Sequence, residues 1–334
     1  MQSWRFTLKP HSAFATPLMG DTLFGQLCWT VRHLYGDARL TSLLSCYSSG
    51  NPFCVASDGF PAGHLPRPHL PLFSMSPSEQ RGADERKQWK SKQWVPITSF
   101  QQPVTEWLLS CKGSTELYKQ DNIESTWQKQ EGRMHNSINR MTGTTGEGGF
   151  APYAVAQQWY HPDVLLDVYV VIDPACFSSE ELHTALRSIG ASGYGKDAAI
   201  GLGQFSIHDS AQTDLPQQKH SSGWMVLAPC APQQLDFDSE KSYWQPFTRF
   251  GRHGSLAAIG GQPFKNPVLL TRAGSIFTPK DFSQRQFIGQ GLGGKGELSK
   301  AISGTVHQGY APAVGLSLND VHKRIAQSCM SETE

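Results

Sequence analysis

Two stretches of this chain carry residue types that can hold or cut a phosphodiester. The first, GASGYGKDAAIGLGQFSI (Gly190–Ile207), has five glycines in its first fourteen residues and a single cation, Lys196. Glycine lets backbone amides approach a phosphate because no Cβ intervenes, and the lysine adds charge. The second, HNSINRMTGTTGEGGF (135–150), supplies His135, Asn139 and Arg140, with Arg133 just before it. An imidazole can stack on a base or accept a proton, and a guanidinium beside it can stabilise a phosphate. The same residues therefore start two readings, a nucleic-acid surface and a metal-independent ribonuclease. With one histidine and no partner at a readable spacing, stacking or a backbone hydrogen bond is the plainer role for His135.

Other chemistries fit less well. GQGLGGKG (289–296) has Gly289, Gly294 and Lys295 where a nucleotide-binding P-loop needs them. Gly296 then stands where magnesium requires a hydroxyl, and no apolar-faced helix follows. GYGKDAAIG follows a helix and leads into a strand, the reverse of a dinucleotide fingerprint. The histidines of HLPRPH sit in a proline loop, and neither HExxH nor CxxC occurs, so no metal and no cofactor is expected. The seven scattered cysteines read as reduced thiols of a cytoplasmic protein. MQSWRFTLKP lacks the apolar core of a signal peptide, and no run of about 18 apolar residues marks a membrane span. The net charge of +1 counts against a free-standing nucleic-acid binder. It leaves room for a local basic groove on a surface otherwise covered by protein partners.

The elements that must position these residues are legible in part. WRFTL (4–8) alternates as a strand does. GDTLFGQLCWTVRHLYG reads as a helix capped by Asp21, with Leu23, Phe24, Leu27, Cys28, Val31, Leu34 and Tyr35 on one stripe and Gly36 as its stop. Residues 42–72 are turn-rich, and four prolines from Pro61 to Pro71 exclude a regular central strand. Residues 74–133 are the most polar part and read as a solvated insertion or mobile hairpin. VLLDVYVVID (164–173) is a strand. SSEELHTALRSIG is a helix with a Ser178–Glu181 capping box, ended by Gly190. The glycine loop and the strand GQFSIHD follow. Beyond the polar stretch 213–223, short strands are expected in 222–230, 266–277 and 309–318 and around WQPFTRFGRHGS. Strand, helix, excursion, strand, helix, loop, strand is compatible with the split βαβ ferredoxin-like plan.

The combination resembles the RAMP superfamily of CRISPR effector proteins, and within it the subunit that binds the 5′ handle in type III-A (Csm) complexes. GDTLFGQLCWTVRHLYG is similar to that family's first helix, read as S-D-T-L-F-x-A-L. NPFCVASDGFPAGHLPRPHLP is similar to its proline-rich segment, and HNSINRMTGTTGEGGF to its H-x-x-I-N-R-x-T-G motif. GYGKDAAIGLGQF stands in the place of its glycine-rich loop. The likeness runs from Trp4 to Leu318 and is weakest over 74–133.

The resemblance implies an α+β fold of two ferredoxin-like (RRM-like) RAMP domains, 1–213 with its insertion at 74–133, and 223–330. It implies a non-catalytic, cytoplasmic subunit of an antiviral complex. That subunit grips the crRNA 5′ handle and caps the filament beside a large polymerase-type subunit and a backbone RAMP subunit. Target RNA joins in the assembled complex, where the polar insertion would wedge between guide and target. Carried over by motif, His135, Asn139, Arg140, Gly193, Gly195, Lys196, Gly201 and Gly203 would meet RNA. The alternative on the same fold is a metal-independent crRNA-processing endoribonuclease with His135 as base. One departure matters: Asp197, Ala198 and Ala199 stand where the family carries cations. That shifts the expected contact from side-chain charge to backbone amides.

Overall fold

The alternation of WRFTL becomes β1 (Gln2–Pro10), which buries Phe6 and Leu8. α1 (Gly20–Tyr35) buries Leu23, Phe24, Leu27 and Val31, and α2 (Asp37–Leu44) follows directly. The prolines then keep three strands short: β2 (Cys54–Ala56), β3 (Phe60–Pro61) and β4 (His64–Pro66). Next come α3 (Ala83–Ser91), β5 (Trp94–Pro96), α4 (Trp107–Ser110), β6 (Lys119–Gln120) and β7 (Ile123–Glu124). β8 (Gln128–His135) and β9 (Tyr153–Tyr160) form a hairpin, followed by β10 (Leu166–Ile172), α5 (Ser179–Ser192) and β11 (Phe205–Gln212). The remainder holds β12 (Gly223–Val226), β13 (Pro246–Arg249), β14 (Val268–Thr271), β15 (Ile276–Phe277), β16 (Phe287–Gly293), β17 (Val306–Leu316) and α6 (Asn319–Ser331). The structure, a computed structural model, describes residues 1–76, 83–117, 119–120, 123–124, 126–146, 148–254, 258 and 262–331. Among the described residues no helix is long and apolar enough to cross a membrane.

The first sheet has the order β11-β1-β10-β2, with β3 also on β10, and every pairing is antiparallel. The last strand lies beside the first, as the split βαβ plan requires. β10 is buried along its whole length, as its nearly continuous apolar run demands. Its one carboxylate, Asp167, is satisfied by the Thr7 hydroxyl at 2.6 Å and the Gly63 N–H at 2.9 Å. α5 starts with both halves of the Ser178–Glu181 capping box in place.

The second sheet has the order β15-β12-β17-β16. β17 is its buried centre, and α6 follows it. Between β12 and β15 the chain forms the β13–β14 ribbon rather than a long helix. GQGLGGKG is not a phosphate loop: Gly289 and Gly291 lie within β16. A Cβ at Gly289 would stand 2.3 Å from the Gly309 carbonyl, and one at Gly291 would stand 2.5 Å from that of Tyr47. Glycine is there for close backbone approach.

The two sheets share a core. The larger apolar cluster takes Phe6, Val168 and Val170 from the first and Ile276, Tyr310, Val314 and Leu316 from the second. Across the seam, the Gln308 amide donates to the Ala56 carbonyl at 2.8 Å and accepts the Ala56 N–H at 2.9 Å. Eight residues between Trp89 and Trp127 belong to this core as well. Val95, Val104, Trp107, Leu108, Cys111 and Trp127 are buried, so this part is neither a solvated insertion nor a mobile hairpin. Residues 77–82 lie outside the described residues. Its apolar residues are few, but nearly all of them point inward, and the charged remainder hid them.

Candidate nucleic-acid interface

Four residues between β1 and α1 tie two exposed features together. The Ala13 carbonyl accepts the Gly203 N–H at 2.8 Å. Phe14 exchanges two backbone hydrogen bonds, of 2.9 and 2.8 Å, with Gln158 of β9. The Thr16 hydroxyl accepts the Lys196 N–H at 3.0 Å. The glycine loop and the β8–β9 hairpin thus rise from one short segment.

The glycine loop closes on itself. Gln26 of α1 donates to the Gly193 carbonyl at 2.7 Å and accepts the Gly195 N–H at 3.0 Å. Tyr194 is turned inward, where its hydroxyl donates to the Pro17 carbonyl and accepts the Met19 N–H, each at 3.0 Å. Gly203 has φ +73°, and a Cβ there would lie 2.1 Å from the Tyr194 carbonyl oxygen. The N–H groups of Gly193, Gly195, Gly201 and Gly203 all donate within the chain. Those four amides are therefore already committed within the chain. Asp197 is left-handed (φ 63°, ψ 22°) and opens a short turn over Ala198–Ile200. The amides of Asp197, Ala198 and Ala199 have no acceptor among the described residues. Lys196 is exposed, with its Nζ 3.8 Å from the Asp197 carboxylate.

His135, Asn139 and Arg140 sit together at the far end of the hairpin. β8 and β9 pair from Gln128↔Tyr160 to His135↔Tyr153. Five residues of strand from Gln158 to Tyr153 span about 17 Å, so this group does not touch the glycine loop. The His135 ring stacks on Tyr153, with centroids 5.5 Å apart and planes 16° apart, and its Nε2 has no partner. Asn139 shapes the turn: its Oδ1 accepts the Met141 N–H at 2.9 Å and its carbonyl accepts the Gly143 N–H at 2.8 Å. Arg140 is exposed beside Ile138 and Met141, which are 61% and 94% exposed. A cation with exposed apolar groups around it suits stacked bases and phosphates.

One polar cluster was not legible in the sequence. Asp21 does not cap α1 from outside; it lies buried in the first turn. Its carboxylate accepts Arg249 Nε at 2.6 Å and Nη2 at 2.7 Å. His307 Nε2 approaches to 3.3 Å, near enough for charge attraction but not aligned as a hydrogen bond. Burial alone would raise the Asp21 pKa; His307 and Arg249 outweigh it and bring it down from 3.8 to about 2. Neighbouring Asp58 accepts the Gly20 N–H at 2.8 Å. Burial, reinforced by the Asp21 charge, outweighs that bond and pushes Asp58 up to about 8. Gly20 takes the serine place of the S-D-T-L-F pattern, and a Cβ there would stand 2.2 Å from the Ala56 carbonyl. The available signal was the placement of Asp21 in that pattern; nothing near Arg249 or His307 announced its partners.

No protein-family model matches the chain, and no curated protein matches its sequence. Solved structures do. A chain of a Csm1–Csm4 cassette in complex with cA4 aligns with a TM-score of 0.56 and 14% identity, over 94% of this chain and 98% of that one. The cassette in complex with pppApA gives 0.54 and 15%, over 95% and 98%. A Csm3–Csm4 subcomplex of the type III-A CRISPR–Cas interference complex gives 0.53 and 14%, over 93% and 99%. Csm4 is the component common to both kinds of assembly. The chain has a Csm4-like fold. At these identities the likeness is one of fold. The Csm4-like fold accounts for both sheets, since nearly the whole of each chain aligns. It also frames the site: the glycine loop joins α5 to β11, so its base is held at the edge of the first sheet.

Proposed function

We propose that this chain is a crRNA-binding subunit of a type III CRISPR interference complex. In this reading it grips the repeat-derived 5′ handle and caps the filament. Its neighbours are a large polymerase-type subunit and a backbone RAMP subunit, and target RNA meets it in the assembled complex. The observation that carries the reading is the Csm4-like fold over nearly the whole chain, found in assemblies with Csm1 and with Csm3. The glycine loop supports it, with amides at Asp197–Ala199 that have no acceptor among the described residues, beside Lys196.

The subunit is read as non-catalytic. His135 stacks on the Tyr153 ring and its Nε2 makes no hydrogen bond to a group that would orient it as a base. Affinity purification of the tagged chain from its native host, with sequencing of bound RNA 5′ ends, tests the function. Spacer RNAs that share one repeat-derived 5′ end, recovered with a polymerase-type subunit, are expected. Protein partners without RNA would overturn the handle-binding role. Metal-independent cleavage of repeat RNA that disappears in His135→Ala would establish the endoribonuclease instead.

A further inference from the structure

Helix α1 has one stripe that the core does not bury. Thr22, Gln26, Trp29 and His33 follow one another at helical spacing, and none of them is buried. No atom of another element comes within 4 Å of where a Gly25 side chain would begin. Gln26 holds the glycine loop on one flank of this stripe. On the other flank Asp21 holds Arg249 at the end of β13, and the backbone at Gly254 lies against the Trp29 indole, where a Cβ would be 2.9 Å from Nε1. The glycine loop, through Gln26, and the segment after β13, through Asp21 and Trp29, thus both meet α1.

The second of these has a distinctive composition. From Lys241 to Lys280 the chain carries six Lys and Arg residues and no Asp or Glu, within a protein whose net charge is only +1. Lys241 and Arg249 are paired with Asp238 and Asp21. Arg252 is exposed, and its guanidinium lies 5.8 Å from the centre of the Phe264 ring. Phe250 and Phe264 are 72% and 68% exposed. Rings left in water beside cations match nucleobases and phosphates. A protein partner could cover the rings, but a stretch without acids favours a polyanion.

We propose that Phe250, Arg252 and Phe264 form a base-stacking wall. It takes unpaired nucleotides of a single RNA strand whose backbone runs along the glycine loop, with α1 as the floor. This rests on the RNA-binding reading above and adds a second-half surface to it.

The test is fluorescence anisotropy of the full chain with a labelled single-stranded RNA of about ten nucleotides. Phe250→Ala and Phe264→Ala each weaken binding by about 5- to 150-fold, while the salt dependence is unchanged. Tryptophan at either position restores affinity, because stacking is what matters. Lys196→Ala instead lowers the salt slope by about 0.7. Both rings are exposed, so these variants keep the wild-type melting temperature. If both phenylalanine variants bind as wild type while Lys196→Ala is weakened, the stacking wall is wrong and the RNA-binding reading stands. A wild-type chain with no RNA affinity overturns both.

Discussion

Asp21 and Arg249 lie 228 positions apart in the chain and meet through two charge-assisted hydrogen bonds of 2.6 and 2.7 Å. The pair fixes the β13–β14 ribbon, which belongs to the second half of the chain, against the first turn of α1. It joins the two halves at the start of the helix that also holds the glycine loop through Gln26.

Asp21→Ala strands a largely buried guanidinium and removes the carboxylate beside His307. Removing one partner of a buried pair costs roughly 3–5 kcal/mol, read as a lower urea midpoint with an unchanged slope. The folded Asp21 pKa lies below its ordinary value, so its stabilisation is present above pH 3.8. It is lost as pH falls from 3.8 toward about 2. Asp21→Asn flattens that acid limb.

Asp58 behaves in the opposite sense. The unfolded carboxyl ionises near 3.8, whereas the folded one keeps its proton until about 8. The folded state binds more protons between these values, so stability falls as pH rises through that window. Asp58→Asn keeps an oxygen for the Gly20 N–H but cannot ionise. Urea titrations at several pH values between 4 and 8 should show the variant gaining on the wild type as pH rises. A parallel decline in both proteins would refute the assignment.

Gly201 and Gly203 separate two costs of a left-handed backbone. Gly201 has φ +91° and open space around a would-be Cβ, so alanine costs about 1–2 kcal/mol. Gly203→Ala adds a collision with the Tyr194 backbone and is expected to unfold the loop. Thermal melts of the two variants check the order.

Trp107→Ala is expected to cost about 3–5 kcal/mol, because the indole is fully buried against Phe100. Deleting 83–127 would uncover the core beneath it, including Phe60 and Leu65, and give insoluble protein. A soluble deletion variant with a wild-type melt would show that the segment is an independent appendage.

Short-range signals account for what the sequence made legible. Ser178 and Glu181 are three residues apart, and their reciprocal bonds needed no tertiary knowledge. The β1 and β10 patterns were readable because sheet faces impose period or continuity. The buried role of Trp107 was hidden in a window whose mean polarity is high. Asp21 presented a capping residue at a helix start, yet partners from beyond residue 240 decided its place. Glycine richness had two meanings. At Gly289 and Gly291 it allows strands to approach, while at Gly193–Gly203 it closes a loop. The separation of His135 from that loop follows from the hairpin register, which one-dimensional spacing does not carry.

The order of β1 in the first sheet has a consequence for synthesis. β1 leaves the ribosome well before its two neighbours, β10 and β11, which begin only at Leu166 and Phe205. At about 5–20 residues per second the nascent strand waits on the order of ten to forty seconds with an open edge. Chains stalled before Phe205 would expose that edge to aggregation, so a chaperone bound near Trp4–Leu8 would protect the protein as it is made.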